Sequence, residues 1–168
     1  MKMNVQQELL FRLDELWPVY AEPGYLQAKY LALGASQLVI HEAHTDANEL
    51  RVTLERLVEP DMQRVPDWAR KLMSPHYTIR HQNRFVRESA ELVRFNLGIT
   101  PVGAPISVQG VGTIKEQKGR SQFEVTFDVN CSIPLVGKKV AEIFSGKIRE
   151  ALLEDCEFTQ AYVIEQRS

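Results

Sequence analysis

The sequence lacks the features of a membrane protein and of a disulfide-stabilised one. No apolar stretch approaches the roughly 20 residues that a membrane-spanning helix needs, and the N-terminal residues contain no apolar run typical of a secretory signal. The only cysteines are Cys131 and Cys156, too few for a disulfide framework, so both are expected to be reduced thiols. A cytoplasmic protein without stable membrane insertion is therefore expected.

The sequence also has no excess of charge of one sign. Its 20 basic and 22 acidic residues leave a net charge of -2, which gives no electrostatic reason to expect nucleic acid or an anionic membrane as a partner. Hydrophobic residues make up 44% of the chain and charged residues 25%, as in ordinary globular proteins. With 168 residues and no repeat, low-complexity tract or linker, one domain over residues 1–168 is expected.

Motifs for metals, cofactors and nucleophilic catalysis are missing as well. There is no G-x-S-x-G turn, phosphate-binding loop or dinucleotide fingerprint. His41 and His44 lie three positions apart on a predicted strand and so on opposite faces, which argues against a shared metal ion. Gly110 and Gly112 lie inside an alternating segment, where they are expected to let a sheet bend. Neither a metal nor a cofactor is expected.

Two periodicities meet near the end of the chain. Between residues 121 and 133 apolar and polar residues alternate, which is typical of a half-buried strand. After Pro134 apolar residues recur at every fourth position, as on one face of a helix: Val136, Val140, Phe144, Ile148, Leu152 and Cys156. A long strand followed by a long helix predicts a curved sheet that receives the helix, with a cavity between them.

The rest of the chain favours strands joined by hairpins. Strands are predicted at residues 2–11, 37–45, 49–59, 76–86, 91–99 and 106–117, with short helices at 13–20, from Pro23 to Gly34, and at 67–73. Consecutive hairpins indicate an antiparallel sheet. The predicted fold class is therefore α+β, with seven strands and one long C-terminal helix.

Three stretches resemble a family of uncharacterised bacterial proteins in the START-like superfamily, also called birch-pollen-allergen-like or polyketide-cyclase/lipid-transfer proteins. They are residues 20–26 (Tyr-Ala-Glu-Pro-Gly-Tyr-Leu), 31–35 (Leu-Ala-Leu-Gly-Ala) and 48–54 (Asn-Glu-Leu-Arg-Val-Thr-Leu). The resemblance implies a helix-grip fold, in which a curved seven-stranded antiparallel sheet surrounds the last helix, with two short helices after the first strand. It implies an apolar cavity and carries over no catalytic motif.

One strand places polar side chains toward the predicted cavity. Counting by two from Tyr77 puts Ile79, His81, Asn83 and Phe85 on one face. If this face points inward, His81 and Asn83 need hydrogen-bond partners, which a ligand or other side chains can supply. The alternatives are a bulge that turns both residues outward or a simple internal hydrogen bond.

Arg56 and five phenylalanines complete the predicted ligand site. Arg56 shares the face of Leu54 and Val58, where it either contacts an acidic head group at the cavity mouth or extends into solvent. Aromatic residues on inner faces can stack on a ligand or simply fill the core: Phe85, Phe95, Phe123, Phe127 and Phe144.

These features predict the non-catalytic binding or transport of a hydrophobic small molecule, such as a lipid, isoprenoid or polyketide-like compound. Arg56, Tyr77, His81 and Asn83 are expected to orient its polar end. One alternative is a cyclase- or hydrolase-like enzyme, with His81 as general acid or base and Tyr77 or Asn83 polarising a carbonyl. The other is a protein-interaction module whose cavity is filled, which a volume well below about 300 Å³ would favour. A homodimer through an edge strand is also open.

Overall fold

The computed structural model describes residues 1–167 and contains a seven-stranded antiparallel sheet that faces a long helix. The strands are β1 (Lys2–Leu9), β2 (Gln37–Thr45), β3 (Glu49–Val58), β4 (Tyr77–Ser89), β5 (Leu92–Pro101), β6 (Ile106–Gln117) and β7 (Arg120–Cys131). Their order across the sheet is β1-β7-β6-β5-β4-β3-β2. The α+β helix-grip fold predicted from the sequence is confirmed.

The helices lie between the first two strands, between β3 and β4, and after β7. They are α1 (Leu13–Leu16), α2 (Pro23–Ala32), α3 (Asp67–Arg70) and α4 (Gly137–Arg167). Since β1 and β2 form opposite edges of the sheet, α1 and α2 carry the chain from one edge to the other. Within residues 1–167 no helix combines the length and apolarity required to cross a membrane.

Most predicted boundaries are correct within three residues, and the differences have local causes. The first strand ends at Leu9 because the backbone N–H of Leu10 instead donates to the side-chain carbonyl of Gln160 on α4. The fourth strand continues to Ser89, since a bulge lets that residue pair with Leu92. The third helix is shorter than predicted and ends at Arg70.

Alternation along β7 produces the most deeply buried part of the sheet. Phe123, Val125, Phe127 and Val129 all point inward and are buried. The long helix packs most closely against β7 and its neighbour β1. Its contact with these two strands leaves the inner faces of β3, β4 and β5 at a distance from the helix.

Gly112 on β6 has a specific packing role beyond the bending predicted for it. It pairs with Phe95 across the sheet, and a Cβ atom at position 112 would lie 2.4 Å from Cζ of that ring. It would also lie 2.3 Å from the backbone oxygen of Glu124. The missing side chain therefore makes room for the Phe95 ring.

Candidate functional site

A cavity of about 360 Å³ lies between the inner face of the sheet and α4. Strands β3, β4 and β5 supply most of the sheet wall, α4 supplies the opposite wall, and α2 closes one end. The sheet wall is mainly apolar, with side chains such as Val52, Ile79, Leu97 and Ile99. A concave, mostly apolar space with a few polar groups is typical of small-molecule sites.

Seven of the nine residues predicted for the ligand site line this cavity: Arg56, Tyr77, His81, Asn83, Phe85, Phe123 and Phe144. Phe95 and Phe127 do not line it, so their predicted place in the site is corrected. Both side chains are almost fully buried in the core. The Phe95 ring is enclosed between Phe85 and Phe123, with centroid distances of 5.1 and 5.2 Å.

His81 and Arg56 contact each other at the polar part of the wall. The Nε of Arg56 donates a hydrogen bond to Nε2 of His81 over 2.9 Å, and the guanidinium lies 5.4 Å from the ring centroid of Tyr30. Since Nε2 accepts, the proton of neutral His81 is on Nδ1. Burial, together with the charges of Arg56 and Lys29, lowers the pKa of His81 well below its ordinary value.

The sequence did not predict the pair of charged residues, Lys29 and Asp155, that lines the same cavity. Their Nζ and Oδ2 atoms lie 3.0 Å apart, joining α2 to α4. Burial opposes the charge of Lys29, but the Asp155 carboxylate, together with Tyr25 and Tyr30, holds its pKa well above the ordinary value. Helical spacing could have predicted that both side chains face the cavity, because residues three positions apart share one face of a helix. Lys29 lies three residues after Leu26, and Asp155 lies three residues after Leu152.

The remaining polar groups of the wall are poorly suited to act as nucleophiles. Burial and the neighbouring Asp155 carboxylate raise the pKa of Cys156 to about 12, so its thiol stays protonated. Burial likewise raises the pKa of Tyr20 well above its ordinary value, and its ring stacks on Phe85 with centroids 5.6 Å apart. Thr159 is paired with the hydroxyl of Tyr25 at 2.6 Å.

Two polar groups of the wall have unused hydrogen-bonding capacity. The side-chain oxygen of Asn83 is buried and has no hydrogen-bond partner among residues 1–167. Arg56 forms no ion pair within that same range, and its terminal guanidinium nitrogens are not engaged by the described side chains. An acceptor and a cation are therefore both available beside an apolar wall.

Comparisons with known proteins agree with this architecture. Residues 4–163 match the model of a family described as "Protein of unknown function (DUF2505)". No curated protein is significantly similar in sequence to this chain.

Solved structures with the same fold cover nearly the whole chain at low sequence identity. TTHA0849 from Thermus thermophilus is 10% identical, with a TM-score of 0.66 and full coverage of both chains. Ara h 8.0201 is 10% identical, with a TM-score of 0.57 and 98% of each chain covered. Norcoclaurine synthase from Thalictrum flavum, in complex with dopamine and hydroxybenzaldehyde, is 16% identical, with a TM-score of 0.55, covering 100% of this chain and 88% of its own. The chain thus belongs to the DUF2505 family and has the helix-grip fold of the START-like superfamily.

Proposed function

We propose that this protein binds a hydrophobic small molecule in the cavity between the sheet and α4, without catalysing a reaction on it. The observation that carries the proposal is a mostly apolar cavity of about 360 Å³ whose wall contains an unpaired polar atom, Oδ1 of Asn83. Ligand pockets usually measure about 300–1,000 Å³. This volume does not favour the alternative in which side chains fill the cavity and only the outer surface has a function.

The binding energy would come mainly from apolar surface that the cavity leaves uncovered. Ile79, Leu97 and Ile99 are only partly buried although they point inward. Covering such surface stabilises a complex by roughly 25 cal/mol per Å² before the costs of association are subtracted. The polar groups would then orient one end of the ligand, since an unpaired buried acceptor favours a ligand that donates to it.

The synthase described above supports the size of such a ligand, since its structure holds dopamine and hydroxybenzaldehyde, which each have one ring. An enzyme is the second candidate, and the ion pair of Lys29 and Asp155 on the cavity wall is the observation that favours it. Against it, His81 has a strongly lowered pKa and Cys156 a strongly raised one. Neither group is tuned for acid–base or nucleophilic chemistry near neutral pH.

Native mass spectrometry of the purified protein, followed by organic extraction, tests the proposal. We expect a stoichiometric hydrophobic compound. Ala151 lines the cavity, so Ala151→Phe should fill it and displace the compound. Ala161 lies on the exposed side of the same helix, so Ala161→Phe is a matched control that should retain the compound.

Equal occupancy in the two variants would contradict binding in this cavity. An empty protein in all samples would count against a resident ligand and in favour of a transient substrate or a protein partner. A released compound that the protein converts into a second compound would establish the enzyme instead, and turnover should then be lost in Asp155→Asn.

A further inference from the structure

We infer that the ligand is a compact amphiphile with a single carboxylate group, and that Arg56 binds this carboxylate. The inference rests on the proposed function and specifies the chemistry of the same site.

Five charged residues line the cavity: Lys29, Arg56, Glu59, Lys147 and Asp155. Lys29 and Asp155 form an ion pair at 3.0 Å. Glu59 is exposed and Lys147 half-buried, and their opposite charges cancel. The sum leaves one positive charge, that of Arg56, which makes no ion pair with any residue from 1 to 167.

Contacts on two sides fix the orientation of the Arg56 guanidinium. Its Nε donates to His81, and the Tyr30 ring lies 5.4 Å from its central carbon. The two terminal nitrogens then remain available together. This paired arrangement of donors matches the two oxygens of a carboxylate, and such charge-assisted hydrogen bonds are about twice as strong as neutral ones.

The size and net charge of the site restrict the rest of the ligand. A volume of about 360 Å³ is near the lower end of the roughly 300–1,000 Å³ range, which suits a medium-length chain or one or two rings and excludes a two-chain lipid. A phosphate monoester would bring nearly two negative charges to a wall whose charged residues sum to a single positive charge. The free oxygen of Asn83, two residues from His81 on the same strand face, suits a hydroxyl donor on the ligand.

Matched pairs of carboxylates and alcohols test the inference. Isothermal titration calorimetry would compare phenylbutanoate with phenylbutanol and decanoate with decanol. We expect each carboxylate to bind about tenfold or more tightly than its alcohol, as a charge-assisted hydrogen bond requires. Arg56→Met should remove this preference by weakening the binding of each carboxylate at least about tenfold more than that of its alcohol. Arg80 is exposed on β4, so Arg80→Met is the matched control that should keep the preference.

The possible results separate this inference from the proposed function. Equal binding of carboxylates and alcohols by the natural protein would overturn the inference while the proposed function stands. A carboxylate preference that survives in Arg56→Met would also overturn it. No binding of any probe up to millimolar concentration would overturn both. If Arg56→Met does not fold, judged by circular dichroism and melting, Arg56→Lys replaces it and should reduce the preference, because an ammonium lacks the paired donors.

Discussion

The two halves of the sheet have similar alternation in sequence but different packing. On β1 and β7 the inward side chains Val5, Leu9, Val125 and Val129 are at most 1% exposed. On β4 and β5 inward side chains such as Ile79, Leu97 and Ile99 remain partly exposed, because they face the cavity. Alternation therefore identifies the inner face of a strand, whereas the position of the helix decides whether that face is covered.

The largest difference between the halves is expected for truncation of leucine. Leu9→Ala should lower the free energy of unfolding by about 3–5 kcal/mol, since it opens a void in a filled core. Leu97→Ala should cost about half as much or less, because its side chain already borders the cavity. Urea denaturation measures the free energy of unfolding of both variants. Equal losses of stability at unchanged m-values would contradict a sheet with one filled half and one half that borders the cavity.

Loss of the ion pair at the cavity end is expected to have the next largest effect. Lys29→Met leaves the partly buried Asp155 carboxylate without its partner and should destabilise the fold by about 2–3 kcal/mol. The double variant Lys29→Met/Asp155→Leu removes both charges and should regain most of that loss. A double variant that is less stable than the single one would contradict this expectation, because the Asp155 carboxylate would then stabilise the fold even without Lys29.

Enlarging an alanine of α4 is expected to have different effects in the filled core and at the cavity. Ala141 is 5% exposed and outside the cavity wall, so Ala141→Leu should overpack the core and cost about 1–3 kcal/mol. Ala151→Leu extends into the cavity and should change stability by less than about 1 kcal/mol. Thermal unfolding of the two variants measures both changes in stability. A larger loss for Ala151→Leu than for Ala141→Leu would contradict the expectation.

A smaller, pH-dependent effect is expected from His81. Its pKa is lowered by folding, so the unfolded chain binds the proton more readily. The stability that neutral His81 contributes is fully present above its unfolded pKa near 6.5 and is lost as the pH falls below that value. The slope should reach at most about 1.4 kcal/mol per pH unit. His81→Gln should flatten it between about pH 5.5 and 6.5, and an unchanged slope there would contradict the assignment.

Much of the cavity wall could be predicted from periodicity, because a side-chain period of two is independent of tertiary contacts. This is why His81, Asn83 and Phe85 are found on the inner face as predicted. Phe95 and Phe127 were misplaced because the same pattern describes filled and unfilled parts of a sheet.

The polar contacts of the site depend on tertiary structure. Arg56 meets His81 diagonally across β3 and β4, and this contact depends on a register in which Arg56 is opposite Ile79. Lys29 and Asp155 were missed because charged residues on helices usually face solvent. Their attraction becomes visible only when α2 and α4 are brought together.

The row of rings through Phe85, Phe95 and Phe123 has a consequence for spectroscopy. The outer two rings line the cavity, and the middle ring, at 1% exposure, lies in the core. An aromatic guest that stacks on either outer ring would alter the ring currents around the middle one. Proton resonances of Phe95 would thus record occupancy of the cavity, although this side chain does not line it.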